Sequence, residues 1–253
     1  MSRPKEWAYA AVLGLLGVLF GFGLLEVGVR LARLEPDRFW EADPVLGARL
    51  VPGKKGWWTQ EEREFLVWVE INDLGLRDVP RKLEKADGVF RILALGDSFL
   101  EALQVPLERA FTQVLERELS SRLGRPVEVI NAGHSAYGTA GELLFFRERG
   151  VRFDPDLVLL AFYPGNDVLN NSPELEDVLV PVYDERGRPV RIHPRAGERR
   201  EASPGGWLAW SKAYRYLRRM TLWARPELVE WLAGIGVVGE RTAERVRKKA
   251  RDR

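Results

Sequence analysis

The chain has 253 residues, with 39 Lys and Arg against 37 Asp and Glu, a formal charge of +2. That balance excludes a protein that wraps polyanions, so no nucleic-acid partner is expected. Cysteine is absent and the only histidines are His134 and His193. Disulfides and thiol nucleophiles are therefore excluded, and neither a metal nor a cofactor is expected.

Trp7 to Leu25 is nineteen residues without a charge. As a helix it would span roughly 28 Å, close to one hydrocarbon core. The run is longer than the core of an ordinary signal peptide, and no small-x-small site precedes a polar stretch. Residues 1–34 are therefore read as a single-pass membrane anchor. Glu26 and Arg30 follow the run four apart, a spacing that lets them pair. Ala10/Gly14 and Gly17/Gly21 place small residues one turn apart, from which weak homo-association through the anchor is expected. Arg3 and Lys5 precede the run and Arg30, Arg33 and Arg38 follow it, a count that by itself opposes export. Long following domains translocate largely regardless of such charges, so the body of the protein is expected to be extracytoplasmic.

Residues 35–88 read as a lead-in with short strands. Phe65–Ile71 is β-branched and aromatic, a strand by composition, and Asn72-Asp-Leu-Gly75 supplies a turn. From Phe90 strands and helices alternate. Strands are predicted at Phe90–Leu95, Val127–Ile130 and Leu157–Tyr163, and helices at Pro106–Leu123 and Thr139–Arg149. In the first helix Leu107, Ala110, Phe111, Val114, Leu115, Leu119 and Leu123 form one apolar stripe. Nearly continuous apolar strands joined through helices indicate parallel strands buried on both faces, an α/β fold. A hairpin is expected around Glu185–Arg188 and an amphipathic helix over Trp207–Ala224. Pro226 opens a further helix into a basic tail, 241–253, with seven basic and two acidic groups; a solvated helix end is the expectation there.

Three polar clusters sit just past the three strands, where open α/β sheets place their sites. Gly96-Asp97-Ser98 puts a serine in a strand-to-helix turn, which suits a nucleophile, although the triplet taken alone reads more simply as Ser98 capping a helix that starts near Phe99. Asn131-Ala132-Gly133 and Gly165-Asn166-Asp167 are ordinary turns taken singly. Together, Gly133 can offer a backbone N–H and Asn166 a side-chain NH₂ to an acyl-transfer oxyanion.

Gly96-Asp97-Ser98-Phe99, Asn131-Ala132-Gly133 and Gly165-Asn166-Asp167 resemble the first three blocks of the SGNH (GDSL-type) hydrolase family. Asn72-Asp-Leu-Gly-Leu-Arg77-Asp78 and Gly141-Glu142 resemble segments of its membrane-anchored members. The resemblance implies a flavodoxin-like three-layer parallel sheet within 89–253, with Ser98 as nucleophile. It also implies an oxyanion hole from the Ser98 N–H, the Gly133 N–H and the Asn166 side chain, with Asp97 and Asp167 in support. The substrate implied is an ester or O-acetyl group on a small molecule, lipid or glycan.

The family's closing Asp-x-x-His block is absent. Asn131 stands three before His134, and Val190 three before His193. Three parallel strands are found where the family has five, so the Leu157–Tyr163 strand is expected at an open apolar edge. The reading is a domain lacking its C-terminal portion, with weak or no hydrolysis. A non-catalytic glycan- or lipid-binding protein and an O-acyltransferase remain as alternatives.

Overall fold

The computed structural model of the chain describes residues 3–59, 64–135, 137–172, 181–184, 186–187, 189–192 and 210–224. His193, the Pro226 helix and the 241–253 tail lie outside the described residues, as do Trp207 and Leu208. The chain divides into two compact units, Met1–Glu35 with Glu201–Arg253, and Pro36–Arg200.

The first unit contains α1 (Arg3–Leu31), long and apolar enough to cross a membrane, with its apolar side chains exposed from Trp7 to Phe20, and with Phe22, Leu25 and Val29 partly or fully covered beyond that. The predicted pair forms, with Arg30 Nε donating to Glu26 Oε1 at 2.6 Å. The same carboxylate receives the start of a second helix, α5 (Lys212–Ala224). Ser211 Oγ and the Ala213 N–H donate to Oε2 at 2.7 and 2.8 Å, and the Lys212 N–H donates to Oε1 at 3.1 Å. Ser211 Oγ in turn accepts from the Tyr214 N–H at 3.0 Å, so Ser211 is the N-cap and Glu26 completes it.

In the second unit the lead-in folds as two antiparallel hairpins, β1 (Trp40–Asp43) with β2 (Gly47–Leu50), and β3 (Lys55–Trp58) with β4 (Val67–Glu70). Phe39, Leu50, Val67, Val69 and Ile71 bury one side of them together with Leu103. A three-stranded parallel sheet follows, built from β5 (Phe90–Gly96), β6 (Val127–Gly133) and β7 (Leu157–Ala161) in the order β6-β5-β7. Between them lie α2 (Ser98–Glu101), α3 (Phe111–Leu123) and α4 (Thr139–Glu148). The two-residue period of β5 feeds two cores. Leu93 and Leu95 pack with Leu144 and Phe145 of α4, while Ile92 and Ala94 pack with Leu100, Leu115 and Leu119. A last hairpin joins β8 (Pro181–Tyr183) to β9 (Pro189–Ile192), as its turn residues predict.

Two expectations need correction. The helix predicted from Pro106 begins only at Phe111, because Leu107–Arg109 is a 3₁₀ turn and Ala110 is extended (φ −61, ψ 144). That break resets the helical phase. Phe111, Val114 and Leu123 face outward, while Thr112 and Gln113 are buried, Gln113 donating to Asp78 at 2.8 Å. Burial on both faces also fails for β7, whose Leu157 and Leu160 are 47% and 49% exposed. Among the described residues β7 pairs only with β5, so it forms the apolar edge that the strand count foretold.

Candidate active site

The register aligns Gly96 of β5 with Gly133 of β6 and Ala161 of β7, so the three carboxyl ends lie level. Past Gly96 the chain stays extended at Asp97 (φ −88, ψ −151), whose Oδ1 accepts from the Phe99 N–H at 2.9 Å. Asp97 is therefore the N-cap of α2, and the alternative of Ser98 as the cap is corrected. A carboxylate is a charged acceptor at the positive end of the helix. Ser98 becomes the first helical residue, half-buried, and its hydroxyl bonds to no described residue.

Asn131 stitches the second strand end to the first. Its Nδ2 donates to the Leu100 carbonyl at 3.1 Å, and its own N–H donates to Asp78 Oδ2 at 3.0 Å. Its Oδ1 accepts the Gly133 N–H at 3.0 Å. Of the three expected oxyanion donors, the Gly133 amide is thus already engaged, which differs from the sequence expectation of a free donor. At Gly133 the backbone of α2 also lies directly against β6. A Cβ there would lie 2.3 Å from the Glu101 nitrogen and 2.6 Å from the Leu100 carbonyl carbon. Backbone cannot yield as a side-chain tip can. Gly133→Ala is expected to destabilise the chain by about 2–3 kcal/mol, read as a lowered urea midpoint at unchanged slope.

The third strand end folds back on itself. Asp167 Oδ2 accepts the Tyr163 N–H at 2.6 Å, and the Asn166 and Asp167 amides both donate to the Tyr163 carbonyl. The ring of Tyr163 lies 4.6 Å from that of Phe99, joining the residue after Ser98 to the segment before Asn166. Asn166 Oδ1 is buried without a partner, while its side-chain Nδ2 bonds to no described residue. The first and third clusters are therefore neighbours.

Beneath them lies a feature the motifs did not specify. Glu142 of α4 is buried with both oxygens unpartnered, and Asp97 Oδ2 and Asp167 Oδ1 are buried and unpartnered as well. Burial above all, then the Asp167 and Asp97 charges, push the Glu142 carboxyl up to about 7. Burial and Asp97 likewise push Asp167 up. In the sequence Glu142 stands out through the Gly141-Glu142 resemblance and as a lone acid ahead of the apolar run Leu143–Phe146, and neither signal places it beside Asp97 and Asp167. Glu101 is a second buried acid, but a satisfied one. Trp40 Nε1 donates to it at 3.0 Å, and the Ser135 amide and hydroxyl both donate to its other oxygen. Burial pushes it to about 7 against those bonds.

His134 is stacked on Tyr137 with ring centroids 4.1 Å apart, and its Nδ1 meets the Ser135 carbonyl at 2.8 Å. Burial pulls its imidazole down to about 4, so at neutral pH it is uncharged and a weak proton acceptor. Among the described residues no set of His, Cys, Asp and Glu side chains is arranged to hold a metal ion.

No family model matches the chain, and no curated protein matches it.

Proposed function

We propose that the chain is a membrane-tethered serine hydrolase of the SGNH type, acting on an ester or O-acetyl group of a lipid or glycan. The observation that carries this is the level alignment of Gly96, Gly133 and Ala161, with a non-capping Ser98 at the first end and Asn166 past the third. In this reading the sheet order β6-β5-β7 is the opening of a flavodoxin-like 2-1-3 arrangement, and the ligand sits outside the carboxyl ends at the switch between β5 and β7. Ser98 Oγ attacks the acyl carbon, and its own N–H with the Asn166 carboxamide takes up the oxyanion. Gly133 joins them once its amide leaves Asn131. Among the described residues none bonds the Ser98 hydroxyl, so its proton passes to hydroxide from solvent as Oγ bonds to the acyl carbon. The alkoxide leaves and is protonated by water, and turnover is slow. The exposed rings of Phe99 and Tyr163 form an apolar lip suited to an acyl chain.

The engaged Gly133 amide and the weakly basic His134 favour a second reading, a pocket that holds the ester or glycan without cleaving it. A fluorophosphonate probe separates the two. The native chain at mildly alkaline pH is expected to label at Ser98, with Ser98→Ala at background and its stability within about 0.5 kcal/mol. Ligand retention by both proteins, with no label on either, would establish the binding reading.

A further inference from the structure

We infer that α5 lies in the headgroup layer of the leaflet where α1 leaves the membrane, its apolar stripe in the acyl boundary and its cations against anionic phospholipid. The inference rests on the reading of α1 as membrane-crossing and specifies how that tether ends. Three observations carry it.

The first is depth. Glu26 is the first charge after the uncharged run Trp7–Leu25, so it marks where the hydrocarbon stops. The N-terminus of α5 is fastened to that residue by three hydrogen bonds, from Ser211 Oγ and the Lys212 and Ala213 N–H groups. Glu35, four residues past the end of α1, is met from the same turn, with Lys212 Nζ donating to its carbonyl at 3.3 Å and Arg215 Nε 4.0 Å from its carboxylate. The first turn of α5 is thus held between the last hydrocarbon-facing turn and the segment that follows it.

The second is charge. Residues 212–224 contain four Lys or Arg and no Asp or Glu; Lys212 and Arg215 meet Glu35 at the helix start, so Arg218 and Arg219 supply the charge beyond that turn. Thirteen residues with four cations cannot cross a bilayer, yet they complement anionic headgroups.

The third is the apolar stripe. Ala213, Leu217 and Met220 share one side at a spacing of four and three. Ala213 is buried, whereas Leu217 and Met220 are 42% and 47% exposed, and Trp210 just before the helix is exposed too. A basic helix with an open apolar stripe and an adjacent tryptophan, starting at the hydrocarbon boundary, has the composition of an interfacial helix.

Because the chain has no cysteine, single-cysteine labels report each position without background. Met220→Cys and Leu16→Cys, each carrying an environment-sensitive fluorophore, would be reconstituted as full chains. The vesicles would be phosphatidylcholine, with or without phosphatidylglycerol. Met220 is expected to be quenched most by a nitroxide high on the acyl chain, and Leu16 by one near the chain end. Phosphatidylglycerol is expected to raise quenching at Met220 roughly twofold, high salt to reverse that gain, and Leu16 to stay unchanged. A lipid-quenched Leu16 with a Met220 open to iodide from water would overturn the inference and leave the tether standing. Lipid quenching at Met220 indifferent to phosphatidylglycerol would overturn the anionic-lipid assignment. A Leu16 label untouched by either lipid quencher would overturn both the tether and the inference.

Discussion

Glu142→Gln is expected to stabilise the chain by about 2–3 kcal/mol at pH 8 and by almost nothing at pH 4. Glu142 is shut away with no hydrogen-bond partner, beside Asp97 and Asp167, and its folded-state carboxyl is raised from 4.5 to about 7. The folded state therefore holds this proton more tightly than the unfolded chain. Stability linked to it is complete below pH 4.5 and is lost as pH rises through 7. Glutamine keeps the shape and removes the charge, so the benefit grows over that window. Glu101, also raised to about 7, titrates in the same range, so the variant should keep a shallower pH slope rather than none. Urea unfolding of the solubilised chain from pH 4 to 8 measures both slopes. Equal stability of the two proteins at pH 8 would mean that Glu142 finds a partner or water in solution.

Asp78→Ala is expected to cost about 3–5 kcal/mol, the largest loss from any single replacement considered. Its side chain is fully buried and accepts from five donors. Arg81 supplies two, at 3.0 and 3.1 Å. Gln113 Nε2 approaches to 2.8 Å, the Val79 N–H to 2.7 Å and the Asn131 N–H to 3.0 Å. Removing the carboxylate leaves Arg81 with only Glu116 and the Val129 carbonyl and strips the partner from the N–H of Asn131, the residue that holds α2 to β6. The disturbance would thus reach the turn that carries Ser98. Glu118→Ala, which removes only the exposed i,i+4 pair with Arg122, is expected to change stability by less than about 0.5 kcal/mol. The two urea midpoints, measured side by side, test whether burial sets the difference.

Much of the architecture was legible because it depends on local pattern. The uncharged run of α1, the Glu26–Arg30 spacing and the three apolar strands with polar ends all belong to short stretches of chain, and each is found. The start of α3 was not legible. Apolar residues at helical spacing continue through Leu107 and Ala110, and only the extended Ala110 breaks them. The cap of α2 was misjudged for a related reason, since Asp97 and Ser98 both qualify by residue type and the backbone bend chooses between them.

What the sequence determined alone was a membrane-length helix, a run of parallel strands and the three residue clusters that follow them. Periodicity, charge and turn chemistry act over a few residues and need no partner. Tertiary structure alone decided which atoms remain available. It spends the Gly133 amide on Asn131, frees the Ser98 hydroxyl and buries Glu142 beside two other carboxylates. It also sets the start of α5 on Glu26, 185 residues earlier in the chain. Such pairings depend on long-range packing, which brings together groups that no local pattern relates.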